Sequence, residues 1–182
     1  MGILLGFAPF IVFALLAGLS IDLALWTALA SAFVIGIRDF AHTRLLRVLD
    51  MGSVVLFGLL ALYTGFIQPS LSIPAVHLIV DSGLTIIALV SIVIGNPFTL
   101  DYAREQVPQE FWHTPLFLRT NYIIAGVWVL AFGAMTAVDA AATFNARFPL
   151  TLDLAASLAT LALAVVFTTR YPAYVRARAA RS

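Results

Sequence analysis

The chain contains no cysteine and no lysine. The first absence excludes disulfides and thiol catalysis. The second excludes Schiff-base chemistry, because all ten basic residues are arginine. Charge of either sign is scarce. Only 10% of the residues are charged, against about 25% in a soluble domain. The net charge of +1 leaves no electrostatic case for nucleic acid. Catalytic and binding signatures are missing as well. There is no P-loop, no dinucleotide fingerprint, no Gly-x-Ser-x-Gly and no paired-histidine spacing. Three histidines and scattered acids are all an enzyme would have. No catalytic residue, cofactor or metal site is expected, and the enzyme reading is a weak one.

Apolar residues make up 62% of the chain, and the mean hydropathy is +1.03. That much apolar surface cannot be hidden in a core of 182 residues, so its solvent must be lipid. A hydrocarbon layer of about 30 Å asks for roughly 20 apolar residues per helix. Six segments qualify: 3–19, 23–37, 52–67, 75–95, 122–138 and 152–169. The expected fold is all-α, a single polytopic domain over 1–182. An interfacial connector, 96–121, separates the fourth and fifth spans. A shorter one, 38–51, separates the second and third, and residues 170–182 form a tail. The start is apolar from Gly2, with no basic region and no A-x-A site, and reads as a retained helix.

Cytoplasmic loops hold an excess of arginine. Arg38, Arg44 and Arg47 fall between spans two and three, and Arg104 and Arg119 between four and five. Arg170, Arg176, Arg178 and Arg181 follow span six, and only Arg147 falls on the opposite side. With six spans, both termini and both long connectors are cytoplasmic. Asp22, Asp139 and Asp153 then lie near the outer face, where Asp139 and Asp153 are expected to be solvated. A faint echo runs along the chain. Val34-Ile35-Gly36 before one polar connector matches Val93-Ile94-Gly95 before the other.

The stretch 95–121 holds three of the nine acids, two of the ten arginines and three of the eight prolines. It is expected to lie on the surface, with a short helical turn over Leu100–Gln106. Asp101, Arg104, Glu105, Trp112, His113 and Arg119 make it a candidate interaction surface, against the plainer reading of a solvated charge run. A second candidate lies within span four. His77, Asp81 and Thr85 recur every four residues and so share a helix face. An ionisable group within a span is a functional hypothesis by default. The sharp reading is a proton or cation relay. The plainer one, a carboxyl used as packing glue, is favoured about two to one at this depth. Asp50 and Asn121 open spans three and five and are candidate helix caps. Ala14, Ala17 and Gly18, and Gly126 with Gly133, offer small faces for packing within the chain or for a homo-oligomer.

The order of features resembles the intracellular septation protein A (YciB-type) family of bacterial inner-membrane proteins. The likeness is distant and spans nearly the whole chain. It is carried by Phe7-Ala-Pro9-Phe10 at the start, Trp26-Thr27-Ala28, Phe57-Gly58, Val107-Pro108 with Trp112, and Trp128 with Phe132. Three features depart from the family pattern. Asn121 stands seven residues before Trp128 instead of about one turn, the connector is longer, and Ile73-Pro74 replaces a basic entry to span four. The resemblance implies a bacterial inner-membrane protein tied to envelope synthesis, elongation and septation through partner proteins. It implies no catalytic residues. The partners expected are therefore the bilayer and other envelope proteins.

Overall fold

The computed structural model describes residues 5–44, 46–68, 71–145 and 148–179, excepting the side chains of Leu150, Asp153, Leu154 and Ala179. Among the described residues all regular structure is helical. In chain order the helices are α1 (Ala8–Leu16), α2 (Ile21–Thr43), α3 (Val48–Phe66), α4 (Ile73–Val93), the short α5 (Phe98–Arg104), a 3-10 turn (Gln109–Phe111), α6 (Pro115–Phe144) and α7 (Leu150–Ala179). Five of them are long and apolar enough to cross a membrane: α2, α3, α4, α6 and, within α7, Ala155–Arg178. This is the pattern of a multi-pass membrane protein. Between 6% and 39% of each such span is buried inside the protein, so most of its apolar surface is left for another solvent. Phe66, Val93, Leu130 and Leu163 are each more than 70% exposed.

The segment expected to form the first span holds α1, whose nine residues reach about 14 Å. That is half the hydrocarbon thickness. Other boundaries also move. The helix expected over 23–37 continues to Thr43, carrying Arg38 and Asp39 with it. The helix expected over 122–138 begins at Pro115 and ends at Phe144. The expected tail is helical through Ala179, with Pro172 inside the helix. Arg147, Arg181, the Asp153 side chain and the Pro69-Ser70 turn lie outside the described residues.

Local chemistry accounts for the helix ends. Ser20 caps α2 by accepting the Leu23 N–H at 3.4 Å, and Asp22 sits in its first turn. Arg44 ends α2 in the left-handed region at φ 57°. Gly95, at φ +80°, ends α4. There the Asn96 N–H bonds the Ser91 carbonyl and the Gly95 N–H bonds that of Ile92, the paired bonds of a Schellman stop. The Val-Ile-Gly echo therefore has two different structures. Gly36 lies inside α2, whereas Gly95 ends α4.

The chain divides into two compact units, Met1–Ile87 and Ala88–Ser182, the division falling inside α4. In the first, α1 packs on α2 and α2 on α3. Ala24, Ala28 and Ala32 form a fully buried row on α2, small enough for close helix approach. The Phe57 ring lies 5.1 Å from that of Phe10 and 5.9 Å from that of Phe13. Gly52 of α3 takes the Ile87 side chain, and Gly83 of α4 takes that of Leu56. The pairing is reciprocal, and its order makes the two helices antiparallel. In the second unit α6 packs on both α5 and α7. Trp128 is its centre. It packs on Phe132 at 5.3 Å and on Phe98 at 6.5 Å, and its indole N–H donates to Thr168 Oγ1 at 2.9 Å.

Candidate functional site

The connector is more folded than a surface strap. Its short helix forms over Phe98–Arg104, two residues earlier than expected. Phe98, Thr99, Leu100 and Tyr102 are all at least 97% buried. Three hydrogen bonds hold this helix and its neighbour in place. Ser91 Oγ accepts the Phe98 N–H at 3.0 Å, Thr99 Oγ1 donates to the Asn121 carbonyl at 3.0 Å, and Asn121 Nδ2 donates to the Phe117 carbonyl at 2.9 Å. One flank of the connector is thus core, which corrects the expectation of a purely surface-lying segment. Asn121 does not cap α6. That helix starts two turns earlier, with Thr114 accepting the Phe117 N–H at 3.4 Å and Pro115 in the first turn.

The other flank collects the expected polar residues. Arg104 pairs with Asp101 at 3.4 Å, one helical turn back. The same guanidinium stands over the Trp112 ring at 5.8 Å. Trp112 is fixed in turn by its indole N–H, which donates to the Val107 carbonyl at 2.9 Å. Asp101, Arg104 and Trp112 are half-buried and mutually placed. Glu105, Glu110, His113 and Arg119 are exposed. The structure therefore joins three of the six expected surface residues into one cluster and leaves the other three in solvent-facing positions.

The polar row within α4 is present as spaced, and its setting is now visible. The buried stripe of that helix is Val76, Val80, Leu84, Ala88 and Ser91. His77, Asp81 and Thr85 each follow a stripe residue by one position, about 100° round the helix, and all three are half-buried. The Thr85 hydroxyl donates to the Asp81 carbonyl at 2.8 Å, so it serves its own helix. The His77 ring packs on Phe13 at 5.3 Å.

Buried ionic groups lie where the sequence reading did not place them. Asp39 and Arg47 form a 2.8 Å ion pair with side chains only 9% and 6% exposed. The Thr43 hydroxyl, donating to the Asp39 carbonyl at 2.8 Å, tightens the same turn. Arg47 is consequently not a free cytosolic charge. It occupies the N-cap position of α3, so Asp50 is not the cap but the third helical residue, 6% exposed. Asp139 was expected to be solvated and is 2% exposed. Among the described residues no group of three His, Asp or Glu side chains is placed to hold a metal ion. Asp50 belongs to the first unit and His113 and Arg119 to the second.

Comparison with protein-family models, curated proteins and solved structures gives no match.

Proposed function

We propose that this is a non-catalytic interaction protein of the bacterial inner membrane, working through its connector, 96–121, on partners in envelope synthesis or septation. The observation that carries this reading is the two-sided connector. Its apolar flank is anchored by Phe98, Leu100 and Tyr102, while Arg104 is held between Asp101 and Trp112 on the other. A pre-formed charged and aromatic cluster binds with less ordering cost than a loose loop, and tryptophan and arginine are the residues that dominate interface energy. The distant family resemblance supports the class of partner. The arginine distribution supports cytoplasmic placement of the connector and of both termini, with α1 and the residues before it counted as a sixth crossing. Alanine at Arg104, Glu105 and Trp112 together is expected to abolish partner co-purification after in-cell crosslinking while membrane insertion stays normal. Unchanged partner recovery would overturn the proposal.

A second reading rests on Asp81, a half-buried carboxylate in mid-helix. A carboxylate at that depth, with His77 one turn away, suits a small transporter or channel. Reconstituted liposomes are expected to show pH-dependent flux that Asp81→Asn abolishes. No flux from the parent chain removes this reading and leaves the first intact.

A further inference from the structure

An apolar groove runs between α2 and α3 in the first unit. Ala32, Phe33, Gly36 and Phe40 line one wall, and Met51 and Val55 belong to the other. Its volume, about 370 Å³, lies in the range of small-ligand sites. From Ala32 to Phe40 it follows α2 for about 12 Å, along the axis of a span. Phe33, Met51 and Val55 are each at least half exposed, so the groove opens outward and not into the core. Gly36 is its floor, where only Cβ-sized space separates the helix from Asp50.

The ends of this groove differ in charge. Past Phe40 the chain presents His42 and Arg44, both exposed, with exposed Arg38 one turn back on α2. Arg47, the remaining arginine of this connector, is buried against Asp39 and adds nothing to the exposed charge. Asp50 lines the groove but is 6% exposed and lies in the first turn of α3, where the helix dipole favours a carboxylate. The arginine-bearing end is therefore cationic at its surface and apolar just beneath it.

We propose that this groove is a site for one anionic phospholipid, its acyl chain lying along Gly36 and Phe40 and its phosphate at Arg38 and Arg44. The complementarity is double. The wall matches hydrocarbon, and two exposed guanidinia at its cationic end match a phosphate that guanidinium binds through paired hydrogen bonds. A zwitterionic lipid fills the groove equally well but gains less from the arginines.

The test uses the full chain, delipidated in detergent and titrated with phosphatidylglycerol or phosphatidylcholine of identical acyl chains, with bound lipid counted by native mass spectrometry. The parent is expected to prefer phosphatidylglycerol by about tenfold, from two surface arginines, and to lose that preference as salt is raised. Arg38→Gln with Arg44→Gly is expected to bring the ratio near one. Arg44→Gly also relieves the positive φ at that position, so its thermal stability is not expected to fall, which separates loss of binding from loss of fold. Gly36→Leu is expected to reduce retention of both lipids, since its Cβ meets only an ordinary 3.8 Å contact and the rest of the side chain fills the groove. Equal retention of the two lipids by the parent overturns the proposal, as does a preference that survives the double substitution. A dimer that Gly36→Leu dissolves and lipid does not affect would assign the groove to a second copy of the chain and overturn it as well.

Discussion

The seam between α3 and α4 gives the sharpest test of the packing. Adding a Cβ at Gly52 places it 2.7 Å from Ile87 Cγ1 and 2.8 Å from both Cδ1 and Cγ2. Carbon atoms settle at about 3.5–4.0 Å, so the contact is short by roughly 0.7–1.3 Å. Three atoms of one side chain are involved. Ile87 is β-branched and essentially single-rotamer in a helix, so it cannot swing aside and the helices must part. Overpacking of this kind costs about 1–3 kcal/mol, while replacing a mid-helix glycine by alanine returns about 1 kcal/mol of propensity. Gly52→Ala is therefore expected to destabilise by about 1–2 kcal/mol net. In an Ile87→Ala background the obstructing atoms are gone and only the propensity gain remains. The same substitution is then expected to stabilise, by about 1 kcal/mol. The assay is reversible unfolding of micelle-reconstituted protein by SDS titration, followed by circular dichroism, over the four variants of the cycle. The change of sign is the diagnostic. If Gly52→Ala has the same effect in both backgrounds, α3 and α4 do not meet at this seam.

Two further outcomes are expected. Asp39→Asn takes from the buried Arg47 guanidinium the carboxylate 2.8 Å away and should cost about 3–5 kcal/mol, whereas Asp39→Leu with Arg47→Met should recover most of it; the same SDS titration reads both, and an Asp39→Asn chain as stable as the parent would show that the pair is not buried. Ser91→Ala with Thr99→Val removes the bonds to the Phe98 N–H and the Asn121 carbonyl, each worth about 0.5–1.5 kcal/mol, so amides 98–104 should exchange at least tenfold faster while those of α6 stay protected; unchanged protection would mean that apolar burial alone seats α5.

The spans were legible because each needs only a long apolar run, and hydropathy reads runs directly. Their ends were not, because an end is decided by caps and φ angles that involve single residues. α2 runs through the charged Arg38 and Asp39 because Asp39 finds Arg47 across the turn. A count of apolar residues stops at the first charge and misses such a partner. α6 begins at Pro115 for a similar reason. The Thr114-Pro115 pair is a helix-start signal, but it sits among polar residues and was read as connector. The first segment fails in the opposite direction. Its apolar run is long, yet the described helix within it is nine residues.

The polar residues show what hydropathy omits, which is direction. It says how far a residue is from water in the chain, not which way it faces. The buried side of α6 is Asn121, Ile124, Ala125, Trp128, Ala131, Phe132, Met135 and Asp139, a stripe at helical spacing with a polar residue at each end. Asp139 follows Asn121 by five whole turns, so the two share a face whatever their depth. That relation was present in the sequence, but reading Asp139 as solvated from its place near a span's end ignored it. Membrane depth and helix face are independent coordinates, and a carboxylate near the interface turns inward when the other side of its helix meets lipid. The same logic governs α4, where His77, Asp81 and Thr85 stand one position off the buried stripe. Their shared face was legible from spacing. Their half-buried setting required the neighbouring stripe, and that setting, between core and surroundings, keeps Asp81 chemically available without making it a site by itself.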